Sequence, residues 1–183
     1  MKKSLKTILI GIAACLAVGL LIAVTVFFIP RDNTSFSFEC FRLRCAASDF
    51  LKDVKQQRYD EAFDRIYCVS AEDDSPLTSG ESFRDVWTQR VSALREKDNT
   101  YLNGFSDLSV RKEDGSFTVT VTLSVTRQGY NDPFYANGSV ITAVYDGGWK
   151  FVSVSEYDPS LQTALEKALS GRFTFDERAN EET

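Results

Sequence analysis

Residues 7–29 read TILIGIAACLAVGLLIAVTVFFI, 23 positions without a charge. At 1.5 Å of rise per residue, such a run spans a hydrocarbon core of about 30 Å. A lone segment in that medium satisfies its backbone hydrogen bonds only as a helix. Lys2, Lys3 and Lys6 precede the run, and Arg31 and Asp32 cancel beyond it. The positive-inside rule therefore predicts a cytoplasmic stub at 1–6, a single-pass helix at 7–29 and an extracytoplasmic remainder.

Two other readings of the segment compete. A cleaved signal peptide has an apolar core of about 7–15 residues and a small-residue cleavage site; this run is longer and ends in Phe27-Phe28-Ile29-Pro30. Ile12-Ala13-Ala14-Cys15 is similar to a lipobox, which makes a lipoprotein anchored at Cys15 the alternative, although Leu16 to Ile29 would continue apolar after the anchor. Gly11, Cys15, Gly19 and Ala23 put a small residue at every fourth position, a ridge along which two helices can approach in lipid.

Beyond the segment the charge balance changes. The chain carries 21 Lys+Arg and 26 Asp+Glu, and setting aside the three N-terminal lysines leaves 18 against 26, a net of −8 for 31–183. That excludes a nucleic-acid binder and argues against anionic lipid headgroups or teichoic-type polymers as direct partners unless cations bridge them.

The exterior part divides into helices, then strands. Leu43, Ala46, Ala47, Phe50, Leu51 and Val54 recur at three and four, the stripe of an amphipathic helix of about 18 residues. Tyr59, Ala62, Phe63, Ile66 and Tyr67 suggest a shorter second helix. Thr78-Ser79-Gly80-Glu81 has capping-box spacing before a third, with Phe83, Val86, Trp87, Val91 and Leu94 on one side. Phe117, Val119, Val121, Leu123 and Val125 then alternate with Thr118, Thr120, Thr122, Ser124 and Thr126, the period of a half-buried strand. Asp114-Gly115 joins it to a strand at 105–112, and Asp146-Gly147-Gly148 joins strands at 139–145 and 149–155, with a loop at 129–138 between the pairs. Asp158-Pro159 opens a last helix with Leu161, Leu165, Ala168 and Leu169, ending at Gly171 and followed by a polar tail at 172–183. This is an α+β plan, with helices covering one face of a curved four-stranded antiparallel sheet.

The segment CAASDFLKDVKQQRYDEAFDRIY, with Phe50-Leu51, Arg58-Tyr59-Asp60 and Ala62-Phe63, resembles the opening of nuclear-transport-factor-2-like (NTF2-like, cystatin-like α+β) domains. Asp146-Gly147-Gly148-Trp149-Lys150-Phe151-Val152 is similar to the closing strand of membrane-anchored, extracytoplasmic members of that superfamily. The resemblance covers about 42–156 and implies a cone in which sheet and helices enclose a pocket. The corresponding division is a juxtamembrane linker at 30–38 and an NTF2-like domain at 39–171.

In enzymatic relatives of isomerase or cyclase type, the resemblance implies an Asp or His base with Tyr or Asp donors in that pocket. The chain has no histidine, which removes Ser-His-Asp and Cys-His triads and His-ligated zinc. Asp85 and Asp107 are the carboxylates placeable near a pocket, both at polar positions of their elements. Tyr101, Tyr130, Tyr135, Tyr145 and Tyr157 are candidate hydroxyl donors, but nothing pairs a base with an orienting group. Glu72-Asp73-Asp74 lacks the alternating spacing and bend glycine of a calcium loop. No cofactor is expected.

Cys40, Cys45 and Cys68 lie on the oxidising side. Five residues on a helix put Cys40 and Cys45 about 140° apart, so a bridge joins Cys68 to Cys45 or to Cys40, or all three remain reduced. Thr118, Thr120, Thr122, Ser124 and Thr126 form an uncharged strip that suits docking, against the plainer reading of β-propensity on an exposed strand. Asn33-Thr34-Ser35 and Asn137-Gly138-Ser139 are glycosylation sequons, meaningful only where a eukaryotic secretory pathway reads them. Together these features point to a membrane-anchored, non-catalytic protein-binding or assembly module of the cell envelope. Its expected partner is another protein, a second copy or an apolar small ligand; the alternative is an enzyme using an Asp/Tyr pocket.

Overall fold

The stripe on Leu43, Ala47, Phe50, Leu51 and Val54 folds as α1 (Phe38–Lys55), which turns that face into the core. The structure, a computed structural model, describes residues 38–78, 80–113, 116–155, 163–174 and 176–177. The apolar run at 7–29, its flanking lysines, the small-residue ridge, Cys15 and the linker at 30–37 lie outside the described residues, as do Tyr157 and Asp158-Pro159. No helix among the described residues is long and apolar enough to cross a membrane.

After α1 come α2 (Tyr59–Phe63), β1 (Val69–Ser70) and α3 (Glu81–Asp98), then β2 (Tyr101–Glu113), β3 (Ser116–Thr126), β4 (Phe134–Tyr145) and β5 (Trp149–Ser155), and last α4 (Ala164–Leu169) and β6 (Arg172–Phe173). Strands β2 to β5 form an antiparallel meander in that order, while β1 and β6 pair in parallel as a second, two-stranded sheet. The α+β plan with a four-stranded antiparallel sheet is thus present, with two short strands added.

Several local expectations change. The second helix stops at Phe63, and Ile66 instead bridges Phe151 of β5. Because α3 begins at Glu81, that residue is N1 rather than N3; the N-cap is Gly80, and no side chain caps it. A reciprocal capping box occurs at α4, where Thr163 receives the Glu166 amide at 3.2 Å and Glu166 Oε2 receives the Thr163 amide at 2.8 Å. Strand β4 starts at Phe134, so the expected loop is shorter: Asn137-Gly138 stand opposite a single residue of β3, with Gly138 at φ +78° in a bulge rather than a turn. The polar tail expected from 172 onward does not begin there, since Arg172–Phe173 form β6 with Phe173 fully buried; residues 178–183 lie outside the described residues.

The core lies between the inner sheet face and the helices. Phe50 stacks against Phe151 at 5.1 Å, Phe63 against Trp87 at 5.9 Å and Phe83 against Phe173 at 4.7 Å. Val119, Val121, Leu123 and Val125 meet them from β3, each at most 1% exposed.

Candidate functional site

Alternation along β3 sends Thr118, Thr120, Thr122, Ser124 and Thr126 to the face away from the core, all half-buried. Their cross-strand partners extend the strip over the whole sheet. On β2 these are Arg111, Ser109, Ser106, Gly104 and Tyr101; on β4, Thr142, Val140 and Tyr135. Ser153 and Ser155 of β5 continue it beside Thr142 and Val140. Arg111 is the charged member of this set. Hydroxyls answer one another across strands, Ser109 to Thr120 and Ser153 to Thr142, both at 3.2 Å. Covering hydroxyls that already bond one another costs less desolvation than covering charges.

Between the sheet and the helices, Trp87, Phe50, Phe151 and Phe173 are fully buried. Tyr59, half-buried on α2, has its hydroxyl pKa raised by burial, with Arg95 opposing and Glu96 assisting. Arg90 reaches from α3 to the carbonyls of Ala168 (3.2 Å), Arg172 (3.1 Å) and Ser170, and burial lowers its pKa against the pull of Glu177.

An open cleft of about 890 Å³ lies instead outside the core, between the outward side of α1, α2 and the β4–β5 turn. Its walls carry the carboxylates of Asp49, Asp53, Glu61, Asp64 and Asp146, the cations Arg42, Arg65 and Lys150, and the apolar surfaces of Phe41 and Trp149. Asp53 is buried and accepts from Arg58 Nε at 3.0 Å and from Nη2 of the same guanidinium. Arg65 stands off, with Nη2 3.9 Å from Asp49 and Nε 4.0 Å from Asp53. Opposite charges therefore meet along the walls, Asp49 and Asp53 with Arg65 and Asp53 with Arg58, while Arg84 pairs with Asp64 at 2.6 Å.

The remaining sequence candidates are dispersed. Asp85 and Asp107 are both exposed, and Asp107 sits at φ 54° in a β2 bulge, where it accepts from Ser106 Oγ at 2.8 Å. Tyr130, Tyr135 and Tyr145 are exposed, while Tyr101 lies half-buried under Arg95 at 4.4 Å. The acidic turn uses its side chains locally: Asp73 accepts from Ser75 Oγ at 2.7 Å, and Asp74 pairs with Arg172 at 2.9 Å. Cys40 is half-buried, Cys45 exposed and Cys68 buried, with Cys68 facing the core and Cys45 on the outward side of α1.

Sequence reasoning missed Asp53, which Arg58 holds from five residues on, Arg90, whose partners lie about eighty positions away, and the exposed pair Phe38 and Phe41 at the start of α1. A signal for that pair exists: Phe41 precedes Leu43 by two residues, about 200° around the helix and off the core stripe. A scan against protein-family models matches none, and a search of curated proteins returns no match.

Proposed function

We propose that the chain is a single-pass membrane protein with its N-terminus in the cytoplasm, displaying an NTF2-like domain outside as a non-catalytic protein-binding or assembly module. The observation that carries this reading is the outer face of the four-stranded sheet. The strip expected on β3 continues across all four strands as hydroxyl, Val and Tyr side chains, on a domain whose net charge is strongly negative. Two copies approaching through any acidic surface meet like charges, whereas the central rows of this face, Thr120 with Ser109 and Val140 and Thr122 with Ser106, carry no charge in register. A second copy or another envelope protein is therefore its partner. Support for a non-catalytic role comes from the interior, where the large side chains of Trp87, Phe50, Phe151 and Phe173 are fully buried.

Crosslinking and mass measurement of the full chain in lipid nanodiscs test the reading. Thr120→Lys with Thr122→Glu is expected to abolish the dimer or the captured partner. Unchanged mass and unchanged pull-down would reduce the face to ordinary surface.

A further inference from the structure

The meander places the β2–β3 and β4–β5 turns at the same end of the sheet, and α1 begins at that end. Three contacts tie them together: Glu39 pairs with Lys112 at 3.1 Å, Lys112 lies 4.7 Å over the Phe117 ring, and Phe117 meets Trp149 edge-on at 4.8 Å. Tyr145 adds its ring to Trp149 at 5.4 Å, and Phe41 shares the cleft wall with Trp149. This end also holds the exposed large apolar residues of α1, Phe38 at 68% and Phe41 at 49%, with Tyr145 at 58% beside the hairpin. Around them stand Arg42, 6.0 Å over the Phe38 ring, exposed Arg44, and Lys150. This end thus gathers aromatic side chains with cations, among which the carboxylates of Glu39 and Asp146 also stand.

We infer that this end docks on the interfacial zone of the phospholipid bilayer, with Phe38 and Phe41 entering between headgroups, Tyr145 and Trp149 at their level, and Arg42, Arg44 and Lys150 on lipid phosphates. The inference rests on the single-pass reading of 7–29. Two arguments select lipid over other occupants. On that reading the chain leaves the apolar run only eight residues before Phe38, at the start of α1, where this cluster stands. The composition also matches: Trp and Tyr with flanking Arg and Lys are the residues that settle at a membrane–water interface.

Fluorescence of the full chain in phosphatidylcholine vesicles, with and without a headgroup-spin-labelled phosphatidylcholine, tests the proposal. The protein has two tryptophans, and Trp87 is fully buried, so Trp149 reports on the docking end. The spin label is expected to quench the emission. Trp149→Phe removes the quenched component, and Phe38→Ser with Phe41→Ser, at exposed positions that leave the core intact, cuts quenching by at least about twofold. Alkaline carbonate washing separates the two readings. A protein washed off the vesicles overturns the anchor and the docking with it; one retained but unquenched overturns the docking alone. An unquenched Trp149 whose emission shifts with protein-to-lipid ratio assigns this end to a second copy.

Discussion

The guanidinium of Arg90 lies 5.2 Å over the ring of Phe173 while its N–H groups donate to the carbonyls of Ala168, Ser170 and Arg172. One side chain of α3 thereby closes the C-terminal end of α4 and holds β6 in place. Its charge is largely desolvated, so the hydrogen bonds it makes are of the strong, charge-assisted kind. Arg90→Ala is expected to destabilise the domain by about 2–4 kcal/mol, with Arg90→Lys recovering only part because it lacks the planar fork. Denaturant unfolding of both variants checks this; equal stability of Lys and Arg at the position would refute the fork.

Gly171 is held by space rather than by φ. A Cβ there would stand 2.3 Å from the Tyr67 carbonyl oxygen and 2.7 Å from Ile66 Cγ2. The glycine amide donates to Val152 at 2.8 Å, and its carbonyl accepts from Val69 at 2.9 Å, so the backbone cannot move away without losing both bonds. Gly171→Ala should cost about 1–3 kcal/mol and raise amide exchange at Val69 first. Wild-type protection at that amide would contradict the close approach.

Burial raises the Tyr59 hydroxyl above its ordinary value of 10.0. The native state then holds this proton more tightly than the unfolded chain. The resulting stability is fully present below the unfolded pKa and is lost as pH rises through it toward the native value. Urea midpoints measured between about pH 9 and 11 should fall more steeply for the wild type than for Tyr59→Phe. Identical slopes would remove Tyr59 from the alkaline transition.

The three described cysteines should separate by reactivity. Maleimide is expected to label Cys45 first, Cys40 more slowly and Cys68 only on unfolding, because the thiolate must be reached to react. Peptide mass mapping over a labelling time course reads the order. Early labelling of Cys68 would mean that the core between α1 and β1 opens.

Strand β3 is legible in the sequence because its surroundings differ sharply on two sides, and period two records that difference over eleven residues. Helices α1 and α3 are legible for the same reason at period 3.6. Strand β6 is not: two residues carry no period, and Phe173 is buried by Phe83 and Arg90, which lie more than eighty positions earlier. The N-cap of α3 misleads because Thr78-Ser79-Gly80-Glu81 satisfies a local spacing while the helix starts one turn boundary later. On the sheet face, alternation reveals the hydroxyl strip of β3 but not its continuation through Val140, Tyr135 and Ser153, which requires the register. The aromatic end draws on three separate segments, and only the meander makes them neighbours.

The pairing of β1 with β6 joins Val69 to Arg172, more than a hundred positions apart in the chain. Closing so wide a loop is entropically late in folding. During synthesis, β1 therefore waits without its partner until almost the whole domain has been made. Until Phe173 arrives to cover Phe83, the side of α3 facing β6 stays wet, and the nascent chain presents an adhesive surface. Truncation a few residues short of that point would remove little mass, yet leave a product that is recognised as unfinished.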